Sequence, residues 1–380
     1  MGEKSAIKGE IKEGLEGVIV AQSSICKIDG LQGKLYYRGY KIEDLAKGSF
    51  EETAFLLIHK RLPNKKELEN FSSRLKRERN LPVHIMDLIK TFPKSTKVIE
   101  ALRTTVSALA AGDPEAGSVS MEGHINNGIS LVAKFPTIVA YCYRINKGLN
   151  CLPADSKLGH AANFLYMLHG NVPREIEEKA MNTDLILHAE HGFNASSFAA
   201  RVTISTLSDM HSAFTTGIGT LKGPLHGGAA TEAMSMLLDI KQPENVATYV
   251  KEVLANHYRI MGFGHRIYKT YDPRARVLNA MAKDISQKHG NMRWYNIAQE
   301  LENIMAKEKN LYPNVDFYSA IVYHELGIPE GLDTPIFAIA RSAGWVAHCI
   351  EQYENNRLIR PIEEYIGPVD LEYVPLTERK

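Results

Sequence analysis

Two histidines in this 380-residue chain lie beside glycines, in the segments GPLHGG and GFGHRIYK. They are His226 and His265. Because glycine carries no side chain, a bound molecule can closely approach the main-chain N–H groups next to each imidazole. A neutral imidazole can also donate a hydrogen bond to a carbonyl oxygen on which negative charge develops. This context predicts a functional role for both histidines.

One carboxylate and three arginines are further candidates. Asp316 follows a Pro-Asn turn in YPNVDFYSA, where an Asp either caps a helix or is free to act as a base. Arg341 lies in the apolar segment FAIARSAGW, so its guanidinium meets either an internal carboxylate or one on a ligand. Arg274 and Arg360 each adjoin a proline. A planar guanidinium grips a carboxylate through two parallel hydrogen bonds.

These residue types together indicate a reaction class. Three arginines can hold a dicarboxylate, and two histidines can polarise two carbonyl groups. One carboxylate can remove a proton from carbon. The combination is suited to joining an enol to a ketone.

A metal site is not expected from the remaining histidines. His188 and His191 are three residues apart and share one face of a predicted helix. No HExxH motif, cysteine cluster or Glu-x-x-His pair completes a ligand set around them. His348, in WVAHC, lies on an apolar helical face and is interpreted as a core residue.

Charge and cysteine content exclude several classes of protein. The chain has 45 Lys and Arg against 44 Asp and Glu, which does not favour nucleic acid or an anionic membrane as the main partner. Its four cysteines form no C-x-x-C pair and are expected to be reduced thiols. No run of about 18 apolar residues predicts a membrane span, and the N-terminus has no secretory signal pattern. We therefore expect a cytoplasmic protein.

Apolar residues recur mostly at helical spacing, so the fold is expected to be mostly α. Several of these segments are apolar nearly all round and predict buried helices. The predicted helices span residues 51–60, 95–110, 128–146, 156–170, 173–191, 194–218 and 334–356.

Local signals add detail to this pattern. Asn194 and Ser156 are expected to be helix N-caps, and Pro136 is expected to kink its helix. Residues 17–40 predict a small β-hairpin near the N-terminus. Without alternating strands and helices, a Rossmann fold is rejected. The tail from Arg360 onward is expected to be extended and to lie on another surface.

Several of these segments resemble the signature segments of the citrate synthase family. They are GPLHGGAATEAM, MGFGHRIYKTYDPRAR, NVDFYSA, FAIARSAGWVAH and LIRP, in the order that the family shows. The match covers residues 14–368 or so and is similar to the short archaeal and bacterial members. The resemblance implies a two-domain helical fold: a large domain of residues 1–216 and 328–380 and a small one of residues 217–327. It also implies a homodimer whose C-terminal tail reaches over the partner.

The resemblance implies a role for each candidate residue. His226 would hold the thioester carbonyl of acetyl-CoA, Asp316 would remove a methyl proton, and His265 would act as the acid at the oxaloacetate ketone. The positions matching oxaloacetate ligands are His191, Arg274, Arg341 and Arg360. Those matching contacts to CoA are Ile260, Met261, Gly262, Phe263, Gly264 and Lys269.

The implied activity is condensation of acetyl-CoA with oxaloacetate, followed by hydrolysis of citryl-CoA to citrate and CoA. Acetyl-CoA would be a co-substrate, and neither a resident cofactor nor a metal is expected. A 2-methylcitrate synthase using propionyl-CoA, or an enzyme that uses both donors, shares every motif. One methylene changes discrimination by only about 1–3 kcal/mol, so the motifs do not separate these activities. A non-catalytic sensor of CoA or dicarboxylates is a more distant alternative.

Overall fold

The computed structural model describes residues 11–227 and 229–379. Within these residues it contains sixteen α-helices and one three-stranded antiparallel sheet. The helices are α1 Ile42–Leu45, α2 Phe50–His59, α3 Lys65–Glu78, α4 Val83–Thr91, α5 Val98–Gly112, α6 Met121–Asn146, α7 His160–His169, α8 Glu175–His188, α9 Ala195–Ser205, α10 Met210–Leu221, α11 Ala229–Ile240, α12 Val246–Ala255, α13 Pro273–His289, α14 Arg293–Lys309, α15 Val315–Glu325 and α16 Asp333–Glu354. The expected mostly α fold is confirmed.

The sheet lies near the N-terminus, where a hairpin was expected. Its strands are β1 Cys26–Asp29, β2 Lys34–Tyr37 and β3 Tyr40–Lys41, in that order. The first two strands pair with Ile28 opposite Leu35. The hairpin prediction is therefore confirmed, with a short third strand added by the turn that follows β2.

Helix α16 lies at the centre of the core, packed against α6, α8 and α9. Its side chains are buried on nearly every side, including Trp345. Full burial of one such large apolar side chain contributes about 1.5–3 kcal/mol. Across the described part of the chain, no helix is both long and apolar enough to span a bilayer.

The predicted helix over residues 194–218 is wrong in its continuity. It is split into α9 and α10, because Leu207 adopts a left-handed φ of 65°. The Asp209 carboxylate then accepts a hydrogen bond from the Ser212 N–H at 2.8 Å and caps the start of α10. Asn194 does cap α9, as expected, by accepting from the Ser197 N–H at 3.1 Å.

Two other local predictions concern the expected N-cap Ser156 and the expected kink at Pro136. Ser156 is not an N-cap, because α7 begins four residues later, where the His160 N–H donates to Glu51 Oε1 at 2.8 Å. The side chain of a distant helix thus replaces the expected local cap. Pro136 lies inside α6, which continues past it as one helix over Met121–Asn146, so the expected kink stays a prediction.

The division of the chain into two domains stays a prediction. Its first boundary, residue 217, lies inside α10, and its second follows α15 at Gly327.

Beyond α16 the tail from residue 355 to residue 375 contains no helix or strand. Its apolar side chains are exposed, including Ile366 at 92 % and Tyr373 at 79 %. Such a surface is typical of a protein–protein contact.

Candidate active site

His226 lies in the turn between α10 and α11, with its ring held by the first turn of α9. The Ser196 main-chain N–H donates to Nε2 of His226 at 3.1 Å. Because a main-chain N–H can only donate, the proton of the neutral ring sits on Nδ1. Burial, helped by the charge of Arg341, lowers the pKa of His226 to about 4. The ring is therefore a neutral donor at pH 7.

His265 has the opposite tautomer. Its Nδ1 accepts from the main-chain N–H groups of Ile267, at 3.0 Å, and Tyr268, at 3.2 Å. The proton of the neutral ring is therefore on Nε2. Burial, followed by the charge of Arg274, lowers the pKa of His265 to about 4. The local chain GHRIY thus folds back to fix the orientation of its own histidine.

His191 lies against His265, with 5.3 Å between the ring centroids. Its Nε2 is 3.2 Å from the hydroxyl of Tyr268. Burial and then the charge of Arg274 hold the pKa of His191 well below its usual value. Two candidate residues far apart in the chain thus lie together, and Tyr268 joins them without having been predicted.

Arg274 is buried and already has a carboxylate partner. Its Nε and Nη2 donate to the two carboxylate oxygens of Asp272 at 3.1 and 2.7 Å. Asp272 also caps α13 by accepting from the Arg274 N–H at 3.0 Å. Asp272 had no predicted role, although an Asp-Pro pair is a common helix start. The pair fixes the guanidinium at the edge of the histidine cluster.

Arg341 is buried in α16, and although the charge of Glu190 acts on it, no carboxylate of the described residues forms an ion pair with it. Its Nε donates to the main-chain carbonyl of His188 at 2.9 Å, and its guanidinium lies 4.8 Å from the Phe337 ring centroid. Its Nη1 has no hydrogen-bond partner within the described residues. An unsatisfied buried donor costs about 1–3 kcal/mol. Of the two interpretations of this arginine, the structure favours a carboxylate supplied by a ligand.

Asp316 is in the first turn of α15, but Asn314 is the cap. The Asn314 side chain accepts from the Asp316 N–H at 3.0 Å. The Asp316 carboxylate lines a cavity of about 10 Å³ together with Gly227, the neighbour of His226 in the chain. Burial raises the pKa of Asp316, which makes the carboxylate a stronger base.

Residues 260–264 are fixed directly beside the turn that carries Asp316. The Gly264 N–H donates to the Tyr312 carbonyl at 3.0 Å, and the Asn314 N–H donates to the Gly262 carbonyl at 2.9 Å. Gly262 has a φ of 78°, and a Cβ there would lie 2.8 Å from Cβ of Phe317. Only glycine fits both constraints.

The other expected CoA residues follow from this placement. Ile260 is buried, whereas Met261 and Phe263 are half-buried. Lys269 is exposed, and its Nζ donates to the Arg266 carbonyl at 3.3 Å. The segment therefore offers main-chain groups beside the turn that carries Asp316, and Lys269 adds an exposed cation further along the chain.

Arg360 is separate from the rest of the site. It is exposed in the tail, and no residue in 11–227 or 229–379 forms a hydrogen bond or ion pair with it.

His348 is buried, and its Nε2 lies 2.9 Å from Glu190 Oε1, so its interpretation as a core residue is confirmed. No group of three or more His, Cys, Asp or Glu within the described ranges is arranged to hold a metal.

The family model described as citrate synthase, C-terminal domain, matches residues 14–362. The chain belongs to the citrate synthase family. It is 48% identical to citrate synthase 2 of Bacillus subtilis, over 96% of this chain and 98% of that one. It is 38% identical to 2-methylcitrate synthase 1 of Corynebacterium glutamicum, over 97% of this chain and 99% of that one.

A solved citrate synthase from Thermoplasma acidophilum superposes with a TM-score of 0.89 at 35% identity. The alignment covers 98% of this chain and 100% of that one, and the solved structure is a ternary complex with carboxymethyl coenzyme A and oxaloacetate. The expected family, fold class and enzyme class, a condensing acyltransferase of the citrate synthase type, are thus confirmed.

Proposed function

We propose that this citrate synthase family member condenses acetyl-CoA with oxaloacetate and hydrolyses the resulting citryl-CoA to citrate and CoA. The observation that carries the proposal is the pair of fixed tautomers. His226 is left with a proton on Nδ1 and His265 with a proton on Nε2, because main-chain donors occupy the other nitrogen of each ring. Two neutral donors of fixed direction suit two carbonyl groups.

Removal of the methyl proton of acetyl-CoA is assigned to Asp316. A thioester α-proton is weakly acidic, so a carboxylate needs help from a donor at the carbonyl oxygen. His226, whose neighbour Gly227 lines the Asp316 cavity, supplies that donor. The enol then attacks the ketone of oxaloacetate, while His265 gives its Nε2 proton to the oxygen that becomes the citrate hydroxyl.

Binding of oxaloacetate is assigned to His191, Arg274, Arg341 and Arg360. Arg341 offers the unpartnered Nη1, and each charge-assisted hydrogen bond contributes about 1.5–3 kcal/mol. Because Arg360 is exposed in the tail, we assign it to the site of the partner subunit in a homodimer. The exposed apolar side chains of the tail support this placement. CoA is assigned to residues 260–264 and to Lys269.

Two further assignments accompany the activity. We place the enzyme in the cytoplasm, because the cysteine pattern is that of a reduced protein. We place no resident cofactor or metal in the reaction, because the side chains above account for every proton transfer in the condensation step. A sensor without activity would not require His226, His265 and Asp316 together.

Propionyl-CoA is the alternative acyl donor, since relatives named 2-methylcitrate synthase also match the chain. Acetyl-CoA is favoured by the higher identity to the relative named citrate synthase, 48% against 38%. The test is oxaloacetate-dependent release of the CoA thiol with each donor, measured with a thiol reagent. Faster release with acetyl-CoA supports citrate formation, faster release with propionyl-CoA supports the alternative, and no oxaloacetate-dependent release contradicts both.

A further inference from the structure

The hydrolytic half of the reaction requires a base beside the thioester carbon of citryl-CoA. This inference rests on the proposed function. After enolisation Asp316 holds the former methyl proton, so it is an acid when citryl-CoA has formed. The raised pKa of Asp316, caused by burial, favours retention of that proton. His265 has given up its Nε2 proton by then, but it does not line the cavity beside Asp316. A water that attacks the thioester from this cavity therefore loses its proton to another group there.

His188 lies at the wall of the Asp316 cavity and has a fixed tautomer. Its Nδ1 is 3.0 Å from the main-chain carbonyl oxygen of Asp184 and 3.3 Å from Oδ1 of the same residue. Both atoms are acceptors, so in the neutral ring the proton sits on Nδ1 and Nε2 keeps its lone pair. Nε2 has no hydrogen-bond partner in the described part of the chain, although the ring is only 1 % exposed.

The main-chain carbonyl of Asp184 holds this ring in place, and the carboxylate of the same residue lies beside it. Asp184 is 0 % exposed, and its Oδ2 accepts a hydrogen bond from the Tyr323 hydroxyl at 2.7 Å. Tyr323 in α15 thereby ties the α8 pair, Asp184 and His188, to the helix that carries Asp316. An imidazole whose Nδ1 is fixed by an acceptor and whose Nε2 is free can take a proton on Nε2 as a general base.

The cavity has room for the group that such a base would activate. Its volume is about 10 Å³, close to the smallest that admits one water molecule. Polar side chains line it, among them His188, Asp316 and Tyr323. Asp316 must reach the methyl carbon of the acyl group, which is one bond from the thioester carbonyl carbon. A water in this cavity is therefore beside the carbon that it must attack.

We propose that His188 is the general base of citryl-CoA hydrolysis and that Asp184 is its positioning residue. Water gives one proton to Nε2 of His188 while its oxygen bonds to the thioester carbon. The C–S bond then breaks, and the departing sulfur takes the proton held by Asp316. The new carboxyl group ionises to solvent, and the proton on His188 replaces, through solvent, the one that His265 gave to citrate.

The test separates hydrolysis from condensation in the full-length enzyme. In His188→Asn the side-chain amide can still donate towards Asp184, but the Nε2 acceptor is lost. The main-chain carbonyl that binds Arg341 is unchanged. With synthetic citryl-CoA as substrate, CoA release is expected to fall at least about 100-fold. In a single turnover from acetyl-CoA and oxaloacetate, citryl-CoA is expected to accumulate.

Tyr323→Phe is a second variant for the case in which His188→Asn does not fold. It removes only the hydroxyl bound to Asp184, and it is expected to slow citryl-CoA hydrolysis more than citryl-CoA formation. His257→Asn, at an exposed position outside the site, is the matched control and should keep both rates.

The outcomes separate this inference from the proposed function. Hydrolysis of citryl-CoA by folded His188→Asn at the wild-type rate would overturn the role of His188. An equal fall of formation and hydrolysis would also overturn it, since that is the effect of a merely structural residue. A wild-type enzyme that hydrolyses no citryl-CoA would instead refute the proposed function itself.

Discussion

The chemistry of the individual residues depends on which ring nitrogen carries the proton. Residue type and glycine context identify His226 and His265, but they do not give the tautomer. The tautomer of His226 is set by the main-chain N–H of Ser196, 30 residues away. The tautomer of His265 is set by main-chain N–H groups of the residues that directly follow it. The first contact was not predictable from sequence, because nothing local links α9 to the turn before α11.

Substitution of the candidate base tests the account at this scale. Asp316→Ala is expected to lower the rate of citrate formation by a factor of at least about 1,000, because no other carboxylate is assigned to the methyl proton. Oxaloacetate affinity, measured by calorimetry, should stay unchanged, since Asp316 is not assigned to that ligand. Turnover equal to that of the wild type would remove Asp316 from the mechanism.

At the scale of helices and loops, periodicity predicted most of the apolar elements near the site. It failed where a break depends on one backbone angle, as at Leu207, and where a cap comes from a distant helix, as Glu51 does for α7. It also gave no prediction for the more polar α13 and α14. Burial of such amphipathic helices depends on their tertiary neighbours more than on their composition.

The loop beside Asp316 offers a matched pair of glycine substitutions. Gly262 has a φ of 78° and a close approach to Phe317, whereas Gly290 has a φ of 72° and open space. Both alanine variants carry backbone strain of about 1–3 kcal/mol, but only Gly262→Ala adds a steric clash. We expect Gly262→Ala alone to raise the KM for acetyl-CoA, by about tenfold. An equal KM in both variants would contradict the placement of CoA on this loop.

At the scale of the whole molecule, burial of neutral histidines makes stability depend on pH. His160 is 1 % exposed and stacks on Phe50 with 4.9 Å between ring centroids. Burial, followed by the charge of Arg79, lowers its pKa to about 3. Between pH 6.5 and 3 the unfolded chain binds a proton at this residue that the folded chain does not, so acid favours unfolding.

His160→Phe should remove this contribution. From pH 6.5 to pH 5 the wild type is expected to lose about 2 kcal/mol more unfolding free energy than the variant, since each pKa unit corresponds to about 1.4 kcal/mol. Urea unfolding at both pH values and one protein concentration measures the difference. His257→Asn serves as the control. An equal loss in wild type and His160→Phe would show that His160 is not neutral in the folded protein.

Assembly is the property that a single chain does not show. Mixing two inactive variants, Asp316→Ala and Arg360→Ala, tests whether Arg360 serves the partner's site. If it does, each mixed dimer holds one intact site, and random exchange restores roughly a quarter of the wild-type activity. If Arg360 serves its own subunit, every site in the mixture is defective. Unmixed samples of each variant are the controls, and an absence of recovery after proven subunit exchange would contradict the tail placement.

The central claim is that a carbon–carbon bond forms between acetyl-CoA and oxaloacetate. The most direct test supplies acetyl-CoA labelled with carbon-13 at the methyl group, with oxaloacetate, and follows the label by NMR. The account predicts that the label appears in a methylene carbon of citrate, at a rate abolished in Asp316→Ala. Label found in acetate, or left in acetyl-CoA while oxaloacetate is present, would contradict it.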